Sequence, residues 1–120
     1  MNDYDEIKRY QKRMMDASRT IQGMAIAMGK SKQIIDFDSD MRKNILSKHM
    51  APLIKNGESV AAAEAYARCS EIYLADMAEY AKGLEEAHVV RFRWEAENLS
   101  FECAQSLLAT EREILHKFPE

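Results

Sequence analysis

Two glutamate–histidine pairs have the spacing that most readily suggests chemistry in this sequence. Glu85 precedes His88 by three residues, and Glu113 precedes His116 by the same interval. On a helix this spacing places both side chains on one face, and di-iron carboxylate proteins bind metal with such pairs on two facing helices. Here both pairs fall on one predicted helix, roughly 42 Å apart, and the N-terminal half offers no inward glutamate opposite them. We therefore interpret the four side chains as part of a solvated helix face and expect no metal site.

The nucleophilic side chains form no recognisable catalytic set. Cys69 and Cys103 are not arranged as C-x-x-C, and Cys103 lies off the centre of an apolar row, where we expect a small packing residue rather than a reactive thiol. Glycine-rich phosphate loops, zinc-ligand spacings and a specific Ser-His-Asp arrangement are missing from the sequence. The sequence therefore predicts a protein that is not an enzyme, with no catalytic residues, no cofactor and no small-molecule substrate.

A stripe of basic residues follows the N-terminal half, opposite its apolar row. The members of this basic stripe are Lys8, Arg9, Lys12, Arg13, Arg19 and Lys30. Such a stripe could follow a phosphate backbone, although a solvated helix face gives the same pattern. Because Asp16 interrupts the stripe and the chain carries a net charge of −3, we treat nucleic-acid binding as an alternative that the sequence does not favour.

The charge is divided between the two halves of the chain. Residues 1–55 hold eleven Lys/Arg and seven Asp/Glu, which gives +4, whereas residues 56–120 hold six and thirteen, which gives −7. This division favours antiparallel contact between the halves, in one molecule or between copies. The polar, acidic start suggests no secretory signal, the two cysteines suit a reducing cytoplasm, and no apolar run approaches the ~18 residues of a membrane span. We expect a cytoplasmic protein that does not contact membranes.

The elements that must position these residues follow from two seven-residue apolar repeats. Repeats of this length mark long helices that bury a narrow row against another helix. The N-terminal row is Ile7, Met14, Ile21, Met28 and Ile35, with Tyr10, Ala17 and Met24 at the intermediate positions and Ser31 as its one polar member. The C-terminal row is Tyr73, Tyr80, Ala87, Trp94, Phe101, Leu108 and Leu115.

The first helix is expected to begin at Asn2 or Asp3, either of which can cap it. Gly29 and Ser31 leave open a break in this helix, although one glycine costs only about 1 kcal/mol. We expect the helix to end or kink near Pro52 and to stop at Asn56-Gly57. Between these points the phase drifts to a further apolar stripe of Ile34, Phe37, Met41 and Ile45.

Two serines predict the starts of the remaining helices. Ser59 opens a short alanine-rich helix that extends to about Arg68, and Ser70 caps a last helix that extends to about Lys117. The predicted fold is all-α, one helical domain over residues 1–120. It is a long antiparallel helical hairpin of coiled-coil type with a short connecting helix.

A hairpin of this kind buries less surface per residue than a compact globule, so we predict that the protein is a homo-oligomer, most simply a dimer. Aromatic residues of the C-terminal row, together with apolar residues that point away from the first row, are the candidates for the oligomer seam or for a partner protein. These candidates are Tyr73, Tyr80, Trp94, Phe101, Met15 and Ile26.

Three segments of the chain resemble a loose group of small all-helical proteins encoded by tailed phages. The segments are 37–43 (FDSDMRK), 57–70 (GESVAAAEAYARCS) and 93–102 (RWEAENLSFE). Genes of this group often lie among phage recombination and single-strand annealing genes. The resemblance implies action in the cytoplasm of a host bacterium, and it assigns no site residues.

These observations lead to three functional expectations. The first is a non-enzymatic accessory protein of phage DNA recombination or replication that acts through a protein partner. The second is an anti-defence protein that binds and inhibits a host immune complex, such as a CRISPR complex or a nuclease. The third is direct DNA binding by the basic stripe.

Overall fold

The protein is described from a computed structural model that covers residues 3–117, with the backbone alone described for Asp3. Within this range the chain forms five helices and no strand. They are α1 (Asp3–Gly23), α2 (Ala25–Asp36), α3 (Asp38–Lys55), α4 (Val60–Cys69) and α5 (Glu71–Lys117). The predicted all-α helical hairpin with a short connecting helix is confirmed. The alternative helix start at Asn2 lies outside the described residues.

The N-terminal helical stretch is interrupted at Met24 and at Phe37, and not at Gly29 or Ser31. Both interruptions are single residues at which the hydrogen-bond ladder continues. The Met24 amide donates to the Thr20 carbonyl at 3.0 Å, and the Phe37 amide donates to the Gln33 carbonyl at 3.0 Å. Gly29 lies inside α2, which agrees with the small cost of one glycine in a helix.

The end of α3 agrees with both expectations. Pro52 lies in the last turns of the helix, which ends at Lys55, three residues further on, and the proline removes its own amide from the hydrogen-bond ladder. The stop at Asn56-Gly57 is confirmed: Gly57 has a φ of 99°. The Gly57 amide donates to Ile54, and the following amide donates to Leu53. This pair of bonds is the Schellman arrangement that closes a helix on a glycine.

Serine side chains start both of the later helices, as the sequence predicts. The Ser59 hydroxyl accepts a bond from the Ala62 amide at 3.2 Å, and the Ser70 hydroxyl accepts one from the Tyr73 amide at 3.1 Å. Ala63 and Ala67 are buried, so α4 presents a face without long side chains and can approach its neighbour closely.

The chain divides into two compact units, which are described separately. Unit 1 comprises Met1–Gly29 and Val90–Glu120, and unit 2 comprises Lys30–Val89. The buried side chains described in unit 1 are Tyr10, Ala17, Ala104 and Leu108. Those in unit 2 are Ser31, Ala63, Ala67, Tyr73 and Ala87.

Both predicted apolar rows are buried or half-buried along their lengths, including the polar Ser31. The expected drift of phase to the stripe of Ile34, Phe37, Met41 and Ile45 is wrong, because Ile34, Phe37 and Met41 are exposed and Ile45 alone is half-buried. The first heptad continues through Phe37 instead: Asp38 lies seven residues after Ser31 and His49 lies fourteen after Ile35, and both face α5. No helix in residues 3–117 has the length and apolarity needed to cross a membrane.

Candidate interaction surfaces

An open apolar groove lies in unit 2, between the α2–α3 junction and α5. We call it the Phe37 groove. It has a volume of about 390 Å³, and its walls expose only apolar atoms. Its lining residues are Gln33, Ile34, Phe37, Met41, Tyr80, Gly83 and Leu84. A groove of this size and chemistry accepts apolar side chains rather than polar or charged ligands.

Two features of the sequence create the Phe37 groove. Phe37 and Met41 line one side of the groove and lie off the inward heptad positions of their helices, so that Phe37 is 56% exposed and Met41 is 41% exposed. On the opposite side Gly83 contributes no side chain, and a Cβ atom placed there would meet nothing within 4 Å. The groove is therefore an open space with a large apolar side chain beside it.

A polar cluster borders the Phe37 groove and joins α3 to α5. The Tyr80 hydroxyl donates to Asp38 Oδ1 at 2.6 Å, and Arg42 Nε lies 2.9 Å from the same oxygen. The Arg42 guanidinium also stacks over the Tyr80 ring, 5.5 Å from its centroid. Tyr80 was a candidate for the oligomer seam, and the structure places its ring in the groove wall and its hydroxyl in this cluster.

The cluster shifts the pKa values of its two acidic groups in opposite directions. The hydrogen bond from Tyr80 lowers the pKa of Asp38, and Arg42 and the charge of His88 add to this effect against a smaller opposing effect of burial. Burial, followed by the bond to Asp38, raises the pKa of Tyr80. Both shifts favour one state, in which a neutral tyrosine donates to a charged aspartate.

A second connection between α3 and α5 involves His49, which sequence reasoning missed. His49 Nε2 lies 2.6 Å from Asp76 Oδ2, and the imidazole packs edge-on against the Tyr73 ring with centroids 5.7 Å apart. The His49 side chain is only 13% exposed. The pair is 27 positions apart, so no local motif reveals it. Tyr73, another seam candidate, is thus largely covered inside unit 2.

A basic groove lies at the junction of α3, α4 and α5. Ser39, Arg42, Lys43 and Arg68 line it above an apolar floor that includes Tyr73. Two of the three cations are already paired, Arg42 with Asp38 and Arg68 with Glu64 at 2.9 Å. The local excess of positive charge is therefore small, which makes the groove a poor site for an anion.

The predicted basic stripe is exposed throughout, but its residues do not all belong to one unit. Lys8, Arg9, Lys12, Arg13 and Arg19 lie on α1 in unit 1, whereas Lys30 belongs to unit 2. Arg9 pairs with Glu6 at 2.6 Å and stacks on Tyr10, 5.4 Å from its centroid. The hydrogen bond to Tyr10, then the charge of Glu6, raises the pKa of Arg9. One cation of the stripe is therefore partly neutralised.

The other predicted interaction residues occupy different environments in unit 1. Met15 and Ile26 are exposed, as the sequence indicated, whereas Trp94 and Phe101 are half-buried. Met15 and Phe101 line one shallow groove. These two seam candidates are therefore brought together, while Ile26 and Trp94 do not line that groove.

The outward face of α5 carries a second apolar stripe that the sequence analysis did not identify. Phe92 and Leu99 are 64% and 65% exposed, and Ala96 and Cys103 are exposed at the intervening three- and four-residue spacings. The expectation that Cys103 is a packing residue is therefore wrong, because it lies on the face opposite the buried row. The spacing from Phe92 to Cys103 was a sufficient signal, since it repeats the 3–4 pattern of the inner row.

The two glutamate–histidine pairs belong to different units, Glu85 and His88 to unit 2 and Glu113 and His116 to unit 1. His88 is half-buried, whereas Glu85 and His116 are exposed, and Glu113 forms an ion pair with Lys117 at 2.8 Å. Within residues 3–117, no three His, Cys, Asp or Glu side chains come close enough to hold a metal ion. Comparisons with protein-family models, with curated proteins and with solved structures find no match to this chain.

Proposed function

We propose that this protein acts without catalysis, as a helical interaction protein that associates with itself and with a partner protein. The observation that carries the proposal is the distribution of apolar side chains. Five of the eight buried apolar residues described are alanines, whereas fifteen large apolar residues are exposed. Such a distribution is typical of chains that complete their core by association.

The division of charge supports the same proposal. The basic half, residues 1–55, and the acidic half, residues 56–120, would attract each other between copies.

Self-association is tested by the mass in solution. We expect light scattering coupled to size-exclusion chromatography to give twice 13.8 kDa at micromolar concentration. We also expect the thermal midpoint to rise with protein concentration, since association stabilises the folded state by mass action. A mass of one chain at all concentrations up to about 200 μM, far above the ~1 μM Kd that −8.2 kcal/mol of binding gives, would contradict the proposal.

For the partner, we propose an accessory role in phage DNA recombination or replication, as the resemblance implies. The alternative is inhibition of a host defence complex through direct binding. Capture on the immobilised protein distinguishes them: recombination or annealing proteins from infected cells support the first, and subunits of a nuclease or CRISPR complex from uninfected cells support the second.

A further inference from the structure

We propose that the outer face of α1 binds an acidic amphipathic helix of a partner protein. This inference rests on the proposed interaction with a partner, and it names the surface and the chemistry of that partner. The outer face consists of five exposed residues at alternating four- and three-residue spacings: Lys8, Lys12, Met15, Arg19 and Gln22. Side chains at these spacings form one row along a helix, and a second helix laid along that row contacts each of them in turn.

The outer face carries three cations and no carboxylate. Within residues 3–117, Lys8, Lys12 and Arg19 take part in no ion pair. The neighbouring carboxylate, Asp16, follows Met15 by one position and is therefore turned about 100° around the helix from it. A partner with carboxylates opposite the row would meet cations that are not already neutralised, which is the charge complementarity that selects one partner over others.

The apolar part of the outer face is a shallow groove in unit 1, which we call the Met15 groove. Its volume is about 340 Å³, and it is lined by Met14, Met15, Ser18, Arg19, Gln22 and Phe101. Methionine side chains adapt their shape to an apolar neighbour. An aliphatic side chain of the partner would fill this groove, and a carboxylate one turn away on the partner would lie beside Arg19.

This combination favours a protein helix over nucleic acid. Phosphates would contact the three cations but would leave the Met15 groove without an occupant, although Met15 is 56% exposed. An acidic amphipathic helix supplies both the apolar and the anionic groups, as helices that dock in grooves do. The outward stripe of α5 is not such a helix, because Arg93 and Glu102 flank it with opposite charges, so the partner is a different protein rather than this stripe of a second copy.

A designed peptide tests the outer face on the full chain. The probe is a fluorescein-labelled helix with leucines in one row and glutamates on both sides of that row. We expect fluorescence anisotropy to show binding with a Kd below about 1 mM. A peptide with glutamine in place of each glutamate should bind at least about tenfold more weakly, because it forms none of the ion pairs with the outer face.

Variants of the protein show whether the outer face is the site. Lys12→Glu with Arg19→Glu should weaken binding of the glutamate peptide at least about tenfold and should instead bind a peptide with lysine in place of glutamate. Met15→Ser should weaken binding about fivefold through the lost apolar contact. Lys43→Glu with Lys82→Glu, both exposed in unit 2, is the matched control and should bind like the unmodified protein. Helical content by circular dichroism should be equal in all variants.

Three results would overturn the inference. The first is a glutamate peptide that does not bind below about 1 mM, or whose affinity is the same in the outer-face variant and the control. The second is an oligonucleotide that binds more tightly than the peptide and is lost in the outer-face variant, which would assign the face to nucleic acid. The third is a homodimer that dissociates only in the outer-face variant, which would assign the face to a second copy. The proposed function stands in the first case if the unmodified protein is dimeric and captures its partner, and it fails independently if the protein is monomeric and captures none.

Discussion

Unit 2 and unit 1 bury the same kind of helical row, but they connect their helices differently. In unit 2, polar side chains join α3 to α5 at two points, through His49 with Asp76 and through Tyr80 with Asp38. In unit 1, the ion pairs that the structure describes join residues three or four apart on one helix. They are Arg9–Glu6, Arg91–Glu95 and Lys117–Glu113.

This difference indicates how each unit fixes the alignment of its helices. A polar pair between helices specifies register, because a shifted alignment leaves half-buried donors and acceptors without partners. An apolar row stabilises the contact between two helices but discriminates less between alignments. This holds particularly where small residues such as Ala17 and Ala104 have no long side chain to interlock with the neighbouring helix. We therefore expect unit 2 to depend on specific pairs and unit 1 to depend on its few large buried side chains.

The largest effect is expected from Leu108→Ala in unit 1. Leu108 is the one buried leucine among the described residues, with 5% of its surface exposed. Its loss removes apolar contact and leaves a cavity, which should lower the free energy of unfolding by about 2–4 kcal/mol. Urea denaturation followed by circular dichroism measures this change.

Leu99→Ala is the matched control for that experiment. Leu99 lies on the same helix but is 65% exposed. Its replacement by alanine should therefore lower the free energy of unfolding by no more than about 0.5 kcal/mol. Equal losses at Leu99 and Leu108 would contradict the assignment of inner and outer faces to α5. A small loss at both positions would show that unit 1 does not depend on its large buried side chains.

A smaller effect is expected from the His49–Asp76 pair of unit 2. In a double-mutant cycle of His49→Ala and Asp76→Ala, we expect a coupling energy of about 1 kcal/mol, typical of a part-buried hydrogen bond. The exposed Arg68–Glu64 pair is the control, with an expected coupling of about 0.3–0.5 kcal/mol. Equal couplings would show that the pair between helices is no more specific than a surface pair.

Much of the fold could be predicted from the sequence because its signals are local. Ser59, Ser70 and Gly57 act within four residues of their positions, and the heptad rows report which helix faces are buried. The pairs between helices could not be predicted, since His49 and Asp76 are 27 positions apart and meet only in the folded register. The stripe of Ile34, Phe37 and Met41 was visible in the sequence, but its exposure was not predicted, because the polar Asp38 and His49 hide the continuation of the first heptad.

Tyr80→Phe should lower the free energy of unfolding by less than the coupling energy of His49 with Asp76. This third effect should depend on pH. The hydrogen bond from Tyr80, with Arg42 and His88, holds the pKa of Asp38 below its usual 3.8. The resulting stabilisation is present above pH 3.8 and is lost as pH falls through the lower pKa of the folded state. Burial raises the pKa of Tyr80 above 10.0, so its contribution is present below pH 10 and is lost as pH rises through that higher pKa.

Urea denaturation of both proteins across this pH range measures the effect. The stability difference between the unmodified protein and Tyr80→Phe should be widest between about pH 5 and 9, within the window set by the ordinary pKa values of aspartate and tyrosine. It should narrow at both extremes. Tyr66→Phe, at an exposed tyrosine on α4, should show no such profile. A difference independent of pH would mean that Tyr80 contributes through packing alone.

The smallest effect is expected from the basic stripe of unit 1, where we predict no change in a DNA-binding assay. Phosphate contacts make affinity fall steeply with salt, by about 0.7–0.9 in log–log slope for each neutralised phosphate. If Lys8 and Lys12 made such contacts, replacing both with alanine would lower this slope by roughly one to two. We expect no binding tighter than a Kd of ~10 μM at physiological salt, which lies within the range of non-specific DNA binding, because Arg9 is paired with Glu6 and the chain carries a net charge of −3.

Fluorescence anisotropy with labelled single- and double-stranded oligonucleotides, at several salt concentrations, measures the affinity for DNA and its dependence on salt. Lys43→Ala with Lys82→Ala, both exposed in unit 2, is the control that removes the same charge outside the stripe. Tight binding that weakens with salt and is lost only in the Lys8/Lys12 variant would assign unit 1 to DNA. The two units would then differ in function as well as in packing. Unit 1, whose helices are held together by a few apolar side chains, would bind nucleic acid, and unit 2 would remain the candidate for protein contacts.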